Sequence, residues 1–175
     1  MTRWLTDDEM RAWLGYRRLR TLLDLQITRD LAADSGLSDA DYDVLSTVSD
    51  APDHRMRLGE LAAAIRWSVS RLSHHVSRMQ QRGLVTRDDC ASDGRSATVV
   101  LTEAGWATIQ AAAKLHVASV RRHFVDLLDP ADLAALATIS GKVLAHLEQV
   151  TPPDPARRAS ARTQRDKLAG MDTAD

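Results

Sequence analysis

The stretch LGELAAAIRWSVSRLSHHVSRMQQRGLVTR, residues 58–87, decides the fold. Its first part predicts a short helix over residues 58–65. Its second part predicts a helix that ends at Gly83, a residue suited to a left-handed stop after the last helical position. The apolar residues of this second helix recur at helical spacing; they are Val69, Leu72, Val76 and Met79. Two short helices joined by a tight turn predict a helix-turn-helix.

The opposite side of the second helix carries hydrogen-bond donors of modest size and no acidic residue. At about 100° per residue, this side presents Ser70, Arg71, His74, Ser77, Arg78 and Gln81. A helix that lies in the major groove of DNA needs such donors for phosphates and for the acceptors on guanine. An ordinary solvated face is the alternative. We expect Ser68, Ser70, Arg71, His74, His75 and Arg78 to form the DNA-binding set on this helix.

A β-hairpin is predicted directly after the helix-turn-helix. β-Branched runs at 84–87 and 97–101 flank a polar turn that contains Asp93 and Gly94. Such a wing would bring Arg95 and Ser96 to the DNA, with Arg95 in a narrow minor groove. Asp93 is expected to support the wing by holding an arginine through a charge-assisted hydrogen bond. A plain turn is the alternative.

Long helices flank this lobe. Thr6 with Glu9 is a capping-box signal for a first helix over 7–34, and Ser38 with Asp41 starts the next helix. Thr102 is expected to cap a fifth helix that runs to about residue 128, and a sixth follows to about 149. The first helix is more apolar than one stripe of a lone surface helix requires, so part of it is expected to meet another subunit.

Composition limits the classes of function. The 175 residues have a net charge of −1, but residues 54–100 carry 8 basic and 4 acidic side chains, whereas residues 1–53 carry 6 and 11. This asymmetry suits a localised anionic partner. No apolar run reaches transmembrane length, and a cytoplasmic location is expected. Cys90 is the only cysteine.

Enzyme motifs are absent from the sequence. It has no Gly-rich phosphate loop, no nucleophile elbow and no paired metal motif, so neither enzyme activity nor a cofactor or metal is expected. Aromatic residues and arginines on the first two helices suggest instead a cleft for a small aromatic acid. The candidate ligand-binding residues are Trp13, Tyr16, Arg17, Arg20 and Tyr42. Filling of the core is the alternative for the aromatic residues.

The sequence resembles the MarR (multiple antibiotic resistance regulator) family of winged helix-turn-helix proteins over roughly residues 7–150. The resemblance rests on LSDADYDVLSTVSDAP, on SVSRLSHHVSRMQQRGLVTR and on DGRSATVVLTEAG. It implies a homodimer, a palindromic double-stranded operator, usually repression, and often release of DNA by a small aromatic or phenolic ligand. The alternatives are a redox-responsive regulator acting through Cys90 and a nonspecific architectural DNA-binding protein.

The expected architecture is therefore mainly α. One unit over 7–150 contains a winged helix-turn-helix lobe at 36–102, with a small β-hairpin wing. The dimerisation helices are expected at 7–34 and 103–149. Residues 151–175 hold several prolines and few large apolar side chains, so a flexible tail is expected there.

Overall fold

The computed structural model of the chain describes residues 3–89 and 97–150. Within these residues the fold is mainly helical with one small sheet, as predicted. The helices are α1 (Asp7–Ser35), α2 (Asp39–Ser49), α3 (Leu58–Ala64), α4 (Val69–Gln81), α5 (Glu103–His123) and α6 (Pro130–Val150). The strands are β1 (Arg55–Arg57), β2 (Val85–Asp89) and β3 (Ala97–Leu101).

Side-chain caps set the helix starts, as the sequence predicts. Thr6 closes a capping box with Glu9 at the start of α1, and Ser38 closes one with Asp41 at the start of α2. The hydroxyl of Thr102 accepts a hydrogen bond from the N–H of Gly105 at 2.9 Å. Each cap satisfies backbone donors that have no partner inside the helix, so these boundaries follow from residues a few positions apart.

The core lies between the short helices, the sheet and the inner faces of α1 and α5. Its buried residues are Leu31, Leu37, Val44, Leu45, Val48, Leu61, Ala62, Leu72, Val76, Met79, Leu84, Val85, Val99, Ile109 and Ala112. Val69, predicted on the apolar side of α4, is 52% exposed. As the first residue of α4, it lies at the exposed end of the helix and outside this core.

The sheet is antiparallel with the strand order β1-β3-β2. The predicted hairpin is confirmed as β2 paired with β3, in a register that joins Val85 to Leu101 and Asp89 to Ala97. The sequence did not predict β1. This strand has three residues, two of them arginines, and pairs with β3 through Met56 opposite Val99. Only its tertiary partner makes it a strand.

Polar contacts join α1 to α5. Oδ2 of Asp30 accepts hydrogen bonds from the hydroxyl of Ser119 at 2.7 Å and from Nε2 of His123 at 2.9 Å. The hydrogen bond from Ser119, joined by those from Gln26 and His123, holds the pKa of Asp30 below its usual value. A carboxylate on α1 is therefore matched to donors on the last two turns of α5.

Helix α5 is shorter than predicted. It ends at His123, because Phe124 leaves helical geometry with φ −143° and ψ −66°, and a 3₁₀ turn follows at Val125–Leu127. The sequence between Gly105 and Asp129 contains no glycine or proline, so it gave no stop signal. None of the helices in the described part of the chain is both long and apolar enough to cross a membrane.

Backbone segments approach closely where α5 starts. A Cβ built on Gly105 would lie 1.9 Å from the carbonyl oxygen of Leu84. Thr102 donates its N–H to that same oxygen at 3.2 Å and its hydroxyl to the carbonyl of Gly83 at 2.6 Å. Gly105 is therefore required because the start of α5 lies directly on the backbone that enters β2.

Replacing Gly105 with alanine is expected to lower the free energy of unfolding by about 1–3 kcal/mol, because the backbone of Leu84 must move to admit a methyl group. Urea denaturation followed by circular dichroism measures this. Gly59→Ala is the matched control, since a Cβ there meets nothing within 4 Å. It is expected to leave the stability unchanged or raise it by up to about 1 kcal/mol. Equal stability of Gly105→Ala and the wild-type protein would contradict the close contact.

Candidate nucleic-acid interface

Helix α4 buries one side and exposes the other, as predicted. Leu72, Val76 and Met79 are 0% exposed and pack into the core. The exposed side carries Ser70, Arg71, His74, Arg78 and Gln81, with Ser77 half-buried beside them. Because α4 has no acidic residue, this surface offers donors and positive charge without a competing carboxylate on the same helix.

Arg71 is held at the start of α4. The hydroxyl of Ser68 caps the helix by accepting the N–H of Arg71 at 3.3 Å. The guanidinium carbon of Arg71 lies 3.9 Å from the centre of the Trp67 ring. A cation this close to an aromatic face is attracted by the ring's electrons. The contact restricts the Arg71 side chain while its N–H groups remain at the surface.

His75 is corrected from a DNA contact to a residue beneath the surface. It is 8% exposed, whereas its neighbour His74 is exposed. Its Nδ1 lies 2.9 Å from Nη2 of Arg78, and its Nε2 lies 3.1 Å from Oδ1 of Asp41. α4 turns this position towards α2, so His75 is able to affect the outer face only through a neighbour such as Arg78.

Asp41 provides a buried negative charge between α2 and the end of α4. It is 4% exposed, and its Oδ2 accepts hydrogen bonds from Nη1 of Arg82 and from the hydroxyl of Ser38, both at 2.8 Å. Burial opposes the charged form, but the hydrogen bonds from Arg82 and Ser38 outweigh it and lower the pKa of Asp41. The ionised carboxylate therefore fixes α4 against α2.

The root of the hairpin is tied to α4. Nη2 of Arg87 donates to the carbonyl of Ser73 and lies 3.2 Å from its hydroxyl oxygen. Arg55 pairs with Asp88 at 3.1 Å. The residues predicted for the wing tip lie outside the described residues; they are Cys90, Asp93, Gly94, Arg95 and Ser96.

The predicted aromatic set divides into two groups within the chain. On α1, the rings of Trp13 and Tyr16 are stacked with centroids 5.9 Å apart, and the guanidinium of Arg17 lies 6.0 Å from the Trp13 ring. Tyr42 instead contacts His116 of α5 at 4.6 Å. Arg20 instead lines a shallow open depression on α1 together with Thr21, Asp24, Leu25 and Thr28. These five residues therefore do not form one enclosed pocket in a single chain.

The histidines of α5 have structural contacts. His116 lies against Tyr42, and His123 bonds to Asp30. Among residues 3–89 and 97–150, no three His, Cys, Asp or Glu side chains are grouped closely enough to hold a metal ion.

Helices α1 and α6 leave a large apolar surface uncovered. On α1 the exposed large apolar residues are Met10, Trp13, Leu14, Tyr16, Leu19, Leu22 and Leu25, and on α6 they are Ile139, Val143, Leu144, Leu147 and Val150. No residue of α6 is buried within the chain. Exposed apolar residues in this number on one helix are typical of an interaction site.

Comparison with known proteins identifies the family. A family model described as the MarR family matches residues 35–96. The chain is similar to AbsC, a MarR family transcriptional regulator from Streptomyces coelicolor, with 44% identity and a TM-score of 0.77. The match covers 85% of this chain and 99% of AbsC. The chain belongs to the MarR family. It is accordingly a DNA-binding transcription regulator, which is not a class of enzyme.

Two further solved structures resemble it. Sco3205 from Streptomyces coelicolor, solved in complex with DNA, has 35% identity and a TM-score of 0.77 over 85% of this chain and 92% of that one. The organohalide-sensing regulator RdhR-CbdbA1625, solved in its 2,4-dichlorophenol-bound form, has 18% identity and a TM-score of 0.69, covering 81% and 82%. This last likeness shows the fold alone. A comparison with curated protein sequences found no match.

Three residues that organise this MarR surface were not identified from the sequence as functional. The sequence pattern assigns no function to Trp67 or Arg82 and gives Asp41 only the role of a helix cap. Trp67 precedes the N-cap Ser68 and lies outside α4, so helical spacing does not relate it to Arg71. Asp41 and Arg82 are 41 positions apart, so no local pattern relates them.

Truncation of Arg71 to alanine is expected to weaken DNA binding by about 1–3 kcal/mol, because a guanidinium already ordered on Trp67 would lose its contact with a base or phosphate. Fluorescence anisotropy with a labelled duplex measures the change. Arg11→Ala is the matched loss of an arginine; Arg11 is exposed on α1 and pairs with Asp8. Equal DNA affinities of folded Arg71→Ala and Arg11→Ala proteins would contradict the assignment.

Proposed function

We propose that the protein is a homodimeric, sequence-specific repressor that acts in the cytoplasm on a palindromic operator. The observation that carries the proposal is the exposed row on α4, where Arg71 rests on Trp67 and Arg78 rests on His75. Ordered arginines are the side chains that read guanine through two hydrogen bonds. The DNA-complexed relative Sco3205, at 35% identity, supports a DNA partner.

The DNA contacts follow from position on α4. Arg71 and Arg78 are assigned to base edges or phosphates and His74 to the groove between them, since all three are exposed on one side. Ser68 and Ser70, at the start of the helix, suit phosphate contacts. For the wing, we propose that Arg95 and Ser96 approach the minor groove and that Asp93 orients Arg95.

Specific binding separates this function from that of a nonspecific architectural protein. A duplex from the region upstream of the protein's own gene is titrated at fixed salt, with and without excess random-sequence DNA. We expect binding that survives the competitor, because base contacts supply discrimination that phosphate contacts lack. Complete loss of binding under random competitor would favour the architectural role.

A small aromatic acid or phenol is proposed to release the operator. The Trp13–Tyr16 stack with Arg17 beside it, the adjacent Arg20, and the separate Tyr42 on α2 are the candidate contacts. The RdhR-CbdbA1625 regulator shares the fold at 18% identity and was solved with 2,4-dichlorophenol, so this fold is able to hold a ligand of this chemistry. In the same titration, salicylate should lower operator affinity. By linkage, it has this effect only to the extent that it binds more tightly to a state of the protein that does not bind DNA. Tryptophan quenching without loss of operator affinity would remove the inducer role.

The proposed dimer uses the apolar surface of α1 and α6. Along α6 the exposed apolar residues Ile139, Val143, Leu147 and Val150 fall on one stripe at about 100° per residue. A second copy of the chain would cover this stripe, and the two α4 helices should then lie roughly 34–36 Å apart, one turn of B-DNA. A symmetric pair also matches a palindromic operator.

Val143→Asp is expected to dissociate the dimer, because it places a carboxylate at the centre of the apolar stripe. Sedimentation velocity at micromolar concentration measures the state of assembly. Ala145→Asp adds the same charge on the opposite side of α6, where the side chain is exposed, and should remain dimeric. A monomeric wild-type protein, or a dimer unaffected by Val143→Asp, would contradict this interface.

A further inference from the structure

The contacts of His75 fix its proton. A guanidinium has donors only, so Nδ1 of His75 must accept from Nη2 of Arg78 at 2.9 Å. The ring is then neutral with its proton on Nε2. That nitrogen lies 3.1 Å from Oδ1 of Asp41, although it has no well-aligned hydrogen bond. A carboxylate facing an N–H fits this tautomer and no other neutral one.

We propose that His75 is a positioning residue for DNA binding, which holds the guanidinium of Arg78, as a neutral acceptor, in the orientation that meets the operator. The proposal rests on the proposed function, in which Arg78 contacts DNA. His75 itself is 8% exposed and does not reach the surface. It acts through Arg78 alone.

The physical basis is preorganisation. Arg78 is exposed on α4, and a free arginine of this kind samples many rotamers that binding must restrict. One N–H given to His75 limits the side chain, while the remaining N–H groups stay available for DNA. His75 in turn stands edge-on to Trp67, with ring centroids 5.4 Å apart and planes at 83°. The same buried layer therefore supports both Arg71 and Arg78.

Protonation of His75 would remove this support. An N–H at Nδ1 would then face an N–H of Arg78 at hydrogen-bond distance, and two positive charges would repel. The charged groups that face the ring are Asp41 from α2, Arg78 from α4, and Arg82 at the end of α4. Burial lowers the pKa of His75, Asp41 raises it, and Arg78 and Arg82 lower it, with the net result below the ordinary value. The ring is thus neutral at neutral pH and gains its proton only in more acidic solution.

The pH profile of operator affinity tests whether protonation of His75 weakens DNA binding. The profile is measured in a His74→Gln background, so that the second histidine of α4, which is exposed, does not contribute to it. In that background, affinity should fall by about threefold to tenfold as the pH is lowered from about 7.5 to values below the usual pKa of histidine, about 6.5. His75→Asn keeps an acceptor near the Nδ1 position that does not titrate. It should retain most of the neutral-pH affinity and abolish the fall.

His75→Phe completes the test. It keeps a ring against Trp67 but offers Arg78 no acceptor, so operator affinity at neutral pH should drop by about threefold to tenfold. The same change made in Arg78→Ala should have little further effect, because the two residues act as one unit. Thermal unfolding checks that each variant folds. If His75→Phe does not fold, the pH profile of His74→Gln with and without His75→Asn decides the matter.

Three results would overturn the proposal. They are additive losses from His75→Phe and Arg78→Ala, operator affinity that is unchanged or tighter in His75→Phe, and a pH profile that His75→Asn does not alter. Failure of the proposed function looks different: the wild-type protein would then not bind its operator specifically at any pH. If the operator is bound but Arg78→Ala has no effect, Arg78 needs no positioning and the inference also fails.

Discussion

The ionised carboxylate of Asp41 is the constraint on which the arrangement of the DNA-binding lobe depends. It lies at the third position of α2, is 4% exposed, and is shared by Ser38 of its own capping box, Arg82 and His75. A buried charge with a partner removed costs about 3–5 kcal/mol. The protein therefore keeps all of these partners close, and α4 is held against α2 at its middle and at its end.

The exposed side of α4, which we propose contacts DNA, is organised by the side chains directly beneath it. Trp67 supports Arg71 from the turn, and His75 supports Arg78 from the buried side of α4. The Trp67 and His75 rings touch each other, and His75 leads to Asp41. The two exposed arginines are thus connected, through Trp67 and His75, to a fixed charge in the core. These contacts restrict the rotamers that the two arginine side chains are able to adopt.

Specific contacts also fix the hairpin and the start of α5 to neighbouring elements. Arg87 ties β2 to the carbonyl of Ser73 on α4, so the start of the hairpin is fixed to that helix. Gly105 allows α5 to lie on the backbone at Leu84, which couples the start of a long flanking helix to the same strand. The apolar outer faces of α1 and α6 have no such cover within the chain. In the dimer that we propose, a second copy of the chain would supply it.

The sequence by itself determined the features that depend on near neighbours. The caps at Thr6, Ser38 and Thr102 each act over three residues. Gly83 adopts the left-handed conformation, φ +72°, readily because glycine has no β-carbon. Helical periodicity separated the buried and exposed sides of α4 except at Val69, which is exposed, and at His75, which is buried. It left the DNA-binding role of that exposed side as a hypothesis, because a solvated face has the same composition.

Only the tertiary structure decided what lies across elements. By helical periodicity, His75 lies at the border between the buried and the exposed sides of α4. It is buried because Asp41 of α2 lies against its ring. β1 has no strand pattern of its own and exists because β3 offers it hydrogen bonds. Asp30 and Ser119 are 89 positions apart, yet their 2.7 Å contact joins α1 to α5. Contacts of this kind depend on the path of the whole chain. The sequence around each residue therefore does not predict which distant residue it will contact.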